Sequence, residues 1–492
     1  MPTGSSGTDT GAGRELVAGV DVATAAVRVV CADARGRVRS EGRAPLPPPE
    51  RGPDGRSEQD ARTWWPAVSA ALRQATGALP GRGREVRAVA VSATSGTLVP
   101  LGADDQPLGP ALMYDDRSAA DLNARAQRAG EPRWRALGLH VGPTAALGRL
   151  ARCVHDHRGR LQLVAHTAEL VGRRLTGGPV PADWSHTLKT GYDPRAGTWA
   201  YEVFAALDVP ERLLPPVRAP GTEAGTVCAA AAAETGLPPG CSVRLGMTDG
   251  CAGQLATGAV RPGQFVGVLG TTYVLKGVAR ELLLDPAGAL YSHRHPDGWW
   301  LPGGASSTGG EAVSTADRGE LARLDEAAQR RGPARQLCYP LRRAGERFPF
   351  VHPQAHGFAQ GPAGDAVDRH RAVLEGVAFV ERLALERVVR LGGRVAGPLF
   401  AAGGGARSAV WSAVRATVLG RELRVVERAE TAFGAALLAA CGTLHPGVTE
   451  AAAAMAGTGR TVEPVARERA ALDESYGRFV AELRRRGWLT GE

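Results

Sequence analysis

The chain has 492 residues, of which 43% are hydrophobic and 22% are charged, a balance typical of a globular protein. One hydrophobic core rarely extends over a chain of this length, so we expect two domains. The net charge of +9 arises from basic residues spread along the sequence, with one run at 484–486 and no nucleic-acid-binding motif, so nucleic acid is not an expected partner.

The start of the chain and its cysteines bear on its location. No apolar run approaches the ~20 residues that span a bilayer, and residues 1–14 are rich in Gly, Ser and Thr rather than apolar, unlike a secretory signal. We expect these residues to form a disordered lead-in. The seven cysteines are odd in number and include no pair spaced by two residues, which favours reduced thiols in a cytoplasmic protein. No membrane partner is expected.

The first predicted element is a hairpin at residues 16–33, LVAGVDVATAAVRVVCAD. An apolar strand leads to an acid at Asp21, a small-residue turn passes through Ala23 and Thr24, and a second apolar strand returns. A carboxylate here is suited to holding magnesium, directly or through water, because this metal prefers hard oxygen ligands. A turn-capping role explains the same pattern.

A strand, VRAVAVSA, then leads into a second small-residue turn at Thr94-Ser95-Gly96. Apolar spacing predicts helices around this strand and after it. The proline- and glycine-rich segment near 215–225 is a loop, and we place the domain boundary just before Val243, where a second set of strands begins. The predicted helices lie near 60–77, 115–128, 145–157 and 164–175.

Residues 243–277 are predicted to form a strand, an acidic turn, a helix, a strand, a tight turn and a further strand. Asp249 falls where a strand gives way to a helix, a common position for a catalytic group, although an ordinary helix N-cap fits equally well. The turn Gly270-Thr271-Thr272 offers backbone N–H groups and two hydroxyls that can surround a phosphate, or it is plain hairpin-turn chemistry. A carboxylate together with such a turn suggests phosphoryl transfer.

A third motif, LFAAGGGARSAVW at 399–411, is a strand, a triple glycine and a helix. Gly403, Gly404 and Gly405 would let a flat base or ribose lie against the backbone, although a plain turn explains them if they are taken alone. Similar strand–turn–strand units in the two halves form a weak internal repeat, which predicts two similar domains. The remaining predicted helices are one at about 367–391, a last core helix at about 431–441, and peripheral helices from 451 to 488.

These segments resemble FGGY-type carbohydrate kinases, within the superfamily of actin and the heat-shock chaperone ATPases, and most closely the D-ribulokinase-like (plant and cyanobacterial xylulose-kinase-like) branch. The resemblance spans residues 15 to 442 and rests on GVDVATAAVR, ATSGTLVPL, ALMYDDR, ADWSHTLKTGYD, TDGCAGQLATGA, LGTTYVLK, AGGGARSAVW and ETAFGAALLA. It implies an α/β fold with two actin-like (ribonuclease H-like) domains flanking an ATP and sugar cleft. The expected segments are the lead 1–14, a sugar-side domain 15–242, a nucleotide-side domain 243–445 and a peripheral helical segment 446–492.

The resemblance implies ATP- and magnesium-dependent phosphorylation of the terminal hydroxyl of a ketopentose, with D-ribulose favoured and Asp249 as general base. The alternatives are a xylulokinase, a kinase for another ketose or polyol, and a catalytically silent nucleotide-binding regulator. The expected partners are ATP and a small sugar, and the expected assembly is a monomer or homodimer. Residues expected at the sugar are Asp21, Ala25, Arg28, Thr94, Ser95 and Asp249. Residues expected at the nucleotide are Thr24, Gly270, Thr271, Thr272, Gly403, Gly404, Gly405, Arg407 and Ser408, with Asp21 as the metal ligand.

Four positions depart from the family pattern. Ala23 replaces the usual glycine of the first turn, Ser92 stands where ribulokinase-like proteins usually have Asp, Gly250 replaces the serine after the catalytic aspartate, and Ser408 takes a place often held by Asn. None of these changes removes the expected base or the metal carboxylate. They leave the identity of the sugar and the rate of the reaction open.

Overall fold

The computed structural model describes residues 15–313 and 317–489, which form two compact units. Unit 1 comprises the described residues up to 135, residues 140–258 and residues 430–456. Unit 2 comprises residues 136–139, the described residues of 259–429, and the described residues from 457. The predicted lead-in at 1–14 lies outside the described residues.

Unit 1 is built on a sheet whose described strands follow the order β5-β6-β4-β1-β2-β3. The strands are β1 Leu16–Val22, β2 Ala26–Asp33, β3 Val38–Pro45, β4 Val86–Ala93, β5 Glu223–Thr226 and β6 Ser242–Thr248. The three central strands β1, β4 and β6 are parallel, whereas β2 is antiparallel to β1, β3 to β2, and β5 to β6. All of β1 is buried, as expected for a strand covered on both faces.

Unit 2 is built on a second sheet, with described strands in the order β9-β10-β8-β7-β11-β12-β13. The strands are β7 Phe265–Leu269, β8 Tyr273–Gly277, β9 Tyr291–Arg294, β10 Trp300–Ala305, β11 Leu399–Ala402, β12 Leu423–Val425 and β13 Arg460–Val462. Strands β7, β11 and β12 are parallel, and the other pairings are antiparallel.

The helices of the described chain cover these sheets. They are α1 Trp64–Gly77, α2 Ala120–Ala129, α3 Glu131–Leu137, α4 Ala146–Asp156, α5 Thr167–Thr176, α6 Trp184–Thr187, α7 Tyr201–Ala206, α8 Ala229–Thr235, α9 Asp249–Ala256, α10 Arg318–Arg331, α11 Ala366–Arg390, α12 Ala409–Leu419, α13 Thr431–Ala440, α14 Val448–Met455 and α15 Arg469–Arg485. Within the two described ranges, no helix has both the length and the apolar composition that crossing a membrane requires.

Short strands form smaller sheets beside the main ones. Glu50–Arg51, Ser57–Gln59, Ala111–Leu112, Leu98–Leu101 and Leu163–His166 form one sheet, in that order. Ala182–Asp183 pairs with Val217–Arg218, Tyr192–Asp193 with Thr198–Trp199, and Leu337–Tyr339 with Phe358–Gln360.

The division between the units differs from the predicted boundary before Val243. Strand β6, which contains Val243, pairs along β4 in the unit 1 sheet, and unit 1 continues through α9 to Gly258. The backbone groups of β6 need partners, and the neighbouring parallel strand provides them. A boundary before Val243 would cut this strand from its own sheet.

The predicted last core helix, α13, also lies in unit 1 rather than in the second domain. It packs on β1 and α9, and two glycines allow the close approach: a Cβ on Gly19 would collide with the backbone at Ala432, and a Cβ on Gly434 would collide with the backbone of Ala252. The chain therefore returns to its first sheet after completing most of the second.

The segment 446–492, expected to be peripheral, contributes to both cores as far as it is described. Helix α14 belongs to unit 1, β13 extends the unit 2 sheet, and α15 places Leu472, Phe479 and Leu483 in the unit 2 core with no exposed surface. Burying three large apolar side chains on one helix face stabilises the folded state by about 1.5–3 kcal/mol each. The helix is thus part of the domain core.

Candidate active site

Four predicted residues lie at one edge of the unit 1 sheet. Asp21 is the penultimate residue of β1, Thr94 and Ser95 follow β4, and Asp249 follows β6. Because β1, β4 and β6 are adjacent and parallel, their carboxyl ends meet at the same edge. In open α/β sheets this edge is where ligands bind.

Asp21 is a buried carboxylate, and one of its two oxygens has no hydrogen-bond partner among the described residues. Its side chain faces Arg28 across the hairpin, and Arg28 Nη1 donates a hydrogen bond to Asp21 Oδ2 at 3.2 Å. Asp21 Oδ1 is buried and has no hydrogen-bond partner among the described residues. Burial raises the pKa of Asp21 to about 6; Arg28 opposes this shift and the charge of Asp249 adds to it. The two carboxylates are therefore close enough to interact.

Asp249 is the first residue of α9 and is half-buried. The N-cap position belongs to Thr248, whose side chain makes no capping bond. Asp249 Oδ1 accepts the N–H of Gly250 at 2.6 Å, and the Asp249 carbonyl accepts the Thr431 hydroxyl at 3.3 Å. A carboxylate in the first helical turn interacts favourably with the positive end of the helix dipole.

A buried polar group supports the residue before Asp249. Thr248 N–H donates to Ser185 Oγ at 3.0 Å, and Ser185 Oγ donates to Asp183 Oδ1 at 2.5 Å. Burial alone would raise the pKa of Asp183, but its contact with His186 and its hydrogen bonds hold it below the usual value. The sequence marked the segment ADWSH only as a family match and did not indicate this link to the strand–helix junction.

The turn after β4 is fixed from within. Thr94 Oγ1 and Thr97 Oγ1 lie 2.8 Å apart and share a hydrogen bond, so the Thr94 hydroxyl is already engaged. Ser95 Oγ is buried without a partner among the described atoms. Arg149, a buried residue that the sequence did not indicate, donates from Nη2 to the Gly96 carbonyl at 2.7 Å. The turn thus presents Ser95 on a constrained backbone.

The first hairpin turn accommodates Ala23, which stands where the family usually has glycine. Ala23 N–H donates to the Ala26 carbonyl at 3.2 Å, and Ala23 is not among the described non-glycine residues with a positive φ, so the turn does not need glycine. Thr24 is half-buried, whereas Ala25 and Arg28 are exposed. Of these residues, Arg28 contacts Asp21 across the hairpin.

Unit 2 contains a cavity of about 750 Å³, a size typical of ligand sites. It lies at the carboxyl ends of β7 and β11, the unit 2 counterparts of the edge described above. The predicted nucleotide residues that line it are Gly270, Thr271, Gly404, Gly405, Arg407 and Ser408. Thr272 and Gly403 do not line it, and Thr24 belongs to unit 1.

The turn at 270–272 is held by backbone hydrogen bonds from Gly310 and Glu311. Gly310 N–H donates to the Gly270 carbonyl at 2.8 Å, and Glu311 N–H donates to the Thr271 carbonyl at 3.0 Å. The Thr272 carbonyl accepts the N–H of Gly270 at 3.2 Å, which closes the turn. Thr272 therefore shapes the turn, while Thr271 is exposed at the cavity.

The three glycines after β11 have different tasks. Gly403 has φ +88° and ψ 176°, a conformation that is almost restricted to glycine, and a Cβ there would lie 2.6 Å from the Leu269 carbonyl oxygen. A Cβ on Gly405 would lie 2.5 Å from the Leu269 side chain. No described atom lies within 4 Å of a Cβ built on Gly404. Gly403 and Gly405 are needed for packing, and Gly404 leaves space at the cavity.

One end of the cavity is polar. His370 Nε2 lies 2.7 Å from Asp325 Oδ1, and Ser408 Oγ donates to Asp325 Oδ2 at 2.6 Å. Ser408 is also the N-cap of α12 and accepts the N–H of Trp411 at 3.0 Å. The sequence did not indicate Asp325 or His370, because they lie on α10 and α11 and only folding brings them to Ser408.

Comparisons with known proteins agree on a family. Residues 16–256 match the N-terminal domain of the FGGY family of carbohydrate kinases, and residues 263–443 match its C-terminal domain. The chain is 30% identical to the xylulose kinase of Streptomyces rubiginosus and 31% identical to that of Streptomyces coelicolor, in each case over 94% of this chain and 95% of the relative.

Solved structures give the same result for the fold. A xyloylose kinase from Brucella ovis superposes with a TM-score of 0.83, and a xylulose kinase from Rhodospirillum rubrum with a TM-score of 0.84. Each is 26% identical to this chain, and each match covers 95% of this chain and 98% of the other.

These matches confirm the predicted α/β fold with two actin-like (ribonuclease H-like) domains. The relatives named above are xylulose kinases, so placement in the D-ribulokinase-like branch stays a prediction. The chain belongs to the FGGY family of carbohydrate kinases, a family of ATP-dependent sugar kinases.

Proposed function

We propose that this protein transfers the γ-phosphoryl group of ATP to the terminal hydroxyl of a ketopentose. The observation that carries this proposal is the pair of carboxylates at one edge of the unit 1 sheet. Asp21 is buried with a vacant oxygen, Asp249 begins a helix, and the charge of the second affects the pKa of the first. Family membership supports the class of reaction.

Asp249 is the proposed general base. A sugar hydroxyl is a weak nucleophile, and a carboxylate within hydrogen-bond reach can take its proton as the new O–P bond forms and the bond to the ADP oxygen breaks. Asp249 lies in the first turn of α9, where a carboxylate interacts favourably with the positive end of the helix dipole. The link from Thr248 through Ser185 to Asp183 would hold the base in one orientation.

Asp21 is the proposed magnesium ligand. Asp21 fits that ion, because a buried carboxylate oxygen without a hydrogen-bond partner is suited to a metal or to metal-bound water. Magnesium supplies charge neutralisation for the phosphates during transfer. Arg28 would keep the other carboxylate oxygen in place through its 3.2 Å hydrogen bond.

The unit 2 cavity is the proposed nucleotide site. Gly404 leaves room for close approach to the backbone, and Thr271, exposed in the neighbouring turn, provides a hydroxyl donor suited to phosphate oxygens. Apolar side chains, including Leu374 and Trp411, line the same cavity and suit a purine base.

Two ketopentoses are candidate substrates. D-Xylulose is favoured by the relatives at 30–31% identity, which are named xylulose kinases. D-Ribulose is favoured by the turn ATSGT, in which Ser95 matches a serine that contacts the ketose in ribulokinase-like proteins, and in which Ser95 Oγ has no protein partner. The two sugars are epimers at one carbon, so one hydrogen bond can discriminate between them.

The test is ADP release by the purified protein with ATP and magnesium, measured with D-xylulose, D-ribulose, L-ribulose, ribitol and glycerol in turn. We expect a ketopentose to give the highest kcat/KM and a product phosphorylated at the terminal carbon. ATP binding without release of ADP by any of these compounds would support the silent regulator instead. Highest activity with glycerol or ribitol would overturn the choice of substrate class.

A further inference from the structure

We propose that Asp325 selects adenine over guanine by accepting a hydrogen bond from the 6-amino group of the base. This inference rests on the proposed nucleotide site and specifies how that site reads the base. It concerns the polar end of the unit 2 cavity, formed by Asp325 on α10, His370 on α11 and Ser408 at the start of α12.

The rest of the cavity near this cluster is apolar. Leu321 lies one helical turn before Asp325 on α10, Leu374 lies one turn after His370 on α11, and Trp411 is in the first turn of α12. A flat base placed among these side chains would find few polar partners other than the cluster. The base would therefore be recognised at one end only.

The hydrogen bonds within the cluster leave acceptor atoms that a ligand can use. The Ser408 hydroxyl hydrogen goes to Asp325 Oδ2, and Ser408 Oγ already accepts from Trp411 N–H. An ionised carboxylate cannot donate, so the hydrogen between His370 Nε2 and Asp325 Oδ1 belongs to the histidine. Each carboxylate oxygen can accept a second hydrogen bond. The donors identified here are therefore used within the cluster, and the unused capacity lies on Asp325.

This arrangement distinguishes the two common purines. Adenine carries an amino donor at position 6, whereas guanine and hypoxanthine carry a carbonyl acceptor there. A carboxylate oxygen facing that acceptor would lose its hydrogen bond and meet like partial charge. Sites that require a hydrogen bond from the ligand reject analogues that lack the donor far more strongly than apolar pockets do.

The first experiment measures ADP, IDP and GDP binding to the wild-type full chain by calorimetry, without sugar. IDP carries a 6-carbonyl and an N1–H in place of the 6-amino group and N1 acceptor of ADP, and it lacks the 2-amino group of GDP, so it confines the change to the edge of the base that would face Asp325. We expect ADP to bind at least ~10-fold more tightly than IDP, as is usual when a site loses a required hydrogen bond. Equal affinity for ADP and IDP would overturn the proposal.

The second experiment uses variants on one helix. Asp325→Asn supplies an amide that can donate to the 6-carbonyl, so the ADP-to-IDP affinity ratio should fall by about tenfold. Glu326→Gln removes the same charge from the next residue, which is exposed and does not line the cavity, and the ratio should not change. A structural role alone for Asp325 would lower the melting temperature and leave the ratio as in wild type.

The two proposals fail separately. Absence of sugar phosphorylation together with tight, ADP-selective binding would overturn the proposed function and support the base selectivity. Sugar phosphorylation that uses ATP and ITP with the same kcat/KM would support the kinase and overturn the selectivity.

Discussion

The central sheets of the two units share the same order and directions of strands but carry different side chains at the same edge. In unit 1 the order β3-β2-β1-β4-β6-β5 repeats, pair by pair, the order β10-β8-β7-β11-β12-β13 of unit 2, including which pairs are parallel. Unit 2 adds β9 at one edge. A shared topology of this kind fixes where a ligand edge lies, but not what binds there.

The first difference is in the hairpins. In β1 and β2 the pair before the last one is Asp21 opposite Arg28, and in β7 and β8 the corresponding pair is Val268 opposite Val274. The same place in the fold thus holds an ion pair in unit 1 and an apolar pair in unit 2. The carboxylate is an addition to the scaffold, and its burial has a cost that the valines avoid.

The second difference is in the loops at the carboxyl edge. The strand next to β1 leads to Thr94-Ser95-Gly96, and the strand next to β7 leads to Gly403-Gly404-Gly405. Hydroxyls suit a ligand that is rich in hydroxyls, because each buried polar group needs a partner. Glycines suit a ligand whose flat face must approach the backbone. The loops therefore favour a sugar at unit 1 and a nucleotide at unit 2.

The largest expected effect separates the chemistry of the two units. Asp249→Asn should lower kcat by about 10²–10⁴-fold, because the amide cannot accept the hydroxyl proton. The substitution keeps the size of the side chain and lies in unit 1, so ADP binding at the unit 2 cavity should be unchanged. Steady-state kinetics and calorimetry measure the two quantities. A kcat within tenfold of wild type would exclude Asp249 as the base.

The ion pair between Asp21 and Arg28 in unit 1 leads to a prediction about stability and pH. The pKa of Asp21 is raised from 3.8 to about 6, so between those values the folded state retains a proton that the unfolded state has released. The contribution of Asp21 to the free energy of unfolding therefore falls as the pH rises from about 4 to 6. Asp21→Asn should increase the free energy of unfolding above pH 6 by about 1–3 kcal/mol while activity is lost, since one pKa unit corresponds to about 1.4 kcal/mol.

Asp33 at the end of the same hairpin is the matched control. Burial tends to raise its pKa, but backbone hydrogen bonds from Arg35 and Arg37 and the contact with Arg39 hold it below the usual value. Asp33→Asn should therefore destabilise the protein at neutral pH, the opposite sign to Asp21→Asn. Urea denaturation of both variants at pH 4.5 and 7.5 measures this. The same sign at pH 7.5 would contradict the comparison.

The glycine loop of unit 2 gives a smaller effect. Gly403→Ala should lower the free energy of unfolding by about 1–3 kcal/mol, because alanine is strained at φ +88° and its Cβ would approach the Leu269 carbonyl. Gly404→Ala has space for its Cβ, so stability should change little, while ADP affinity should fall if the nucleotide lies against this backbone. Thermal melts and calorimetry separate the two. Unchanged ADP affinity in Gly404→Ala would argue against that contact.

The sequence predicted those parts of the fold that depend on local pattern. Apolar runs that end in Asp21, Thr94, Asp249 or Gly403 mark strands and their carboxyl edge without reference to distant residues. The sequence did not indicate that α13 packs on the unit 1 sheet, because the helix is apolar on all sides and such a pattern does not specify which sheet it covers.

Residues that act through tertiary contacts left no sequence signal. Asp325 and His370 are 45 positions apart on two different helices and meet only in the folded unit, and Arg149 contacts a turn residue 53 positions earlier. On a helix, a charged residue that faces a cavity and one that faces solvent have the same local pattern. The signal for such residues is a buried polar group with a specific partner, which requires coordinates.

The smallest expected effect tests the loop of unit 1 directly. Ser95→Gly makes this loop resemble its unit 2 counterpart and removes a buried hydroxyl that has no partner in the described structure. If that hydroxyl binds the sugar, its loss should cost about 0.5–1.5 kcal/mol, which is about a 2- to 12-fold rise in the sugar KM, and the ATP KM should not change. Ser95→Thr retains a hydroxyl and should preserve part of the affinity. Because Ser95 Oγ gains no hydrogen bond from the protein, a purely structural role predicts that both variants leave the sugar KM unchanged. Measuring the ratio of kcat/KM for D-xylulose and D-ribulose in each variant then shows whether this hydroxyl sets the preference between the two epimers.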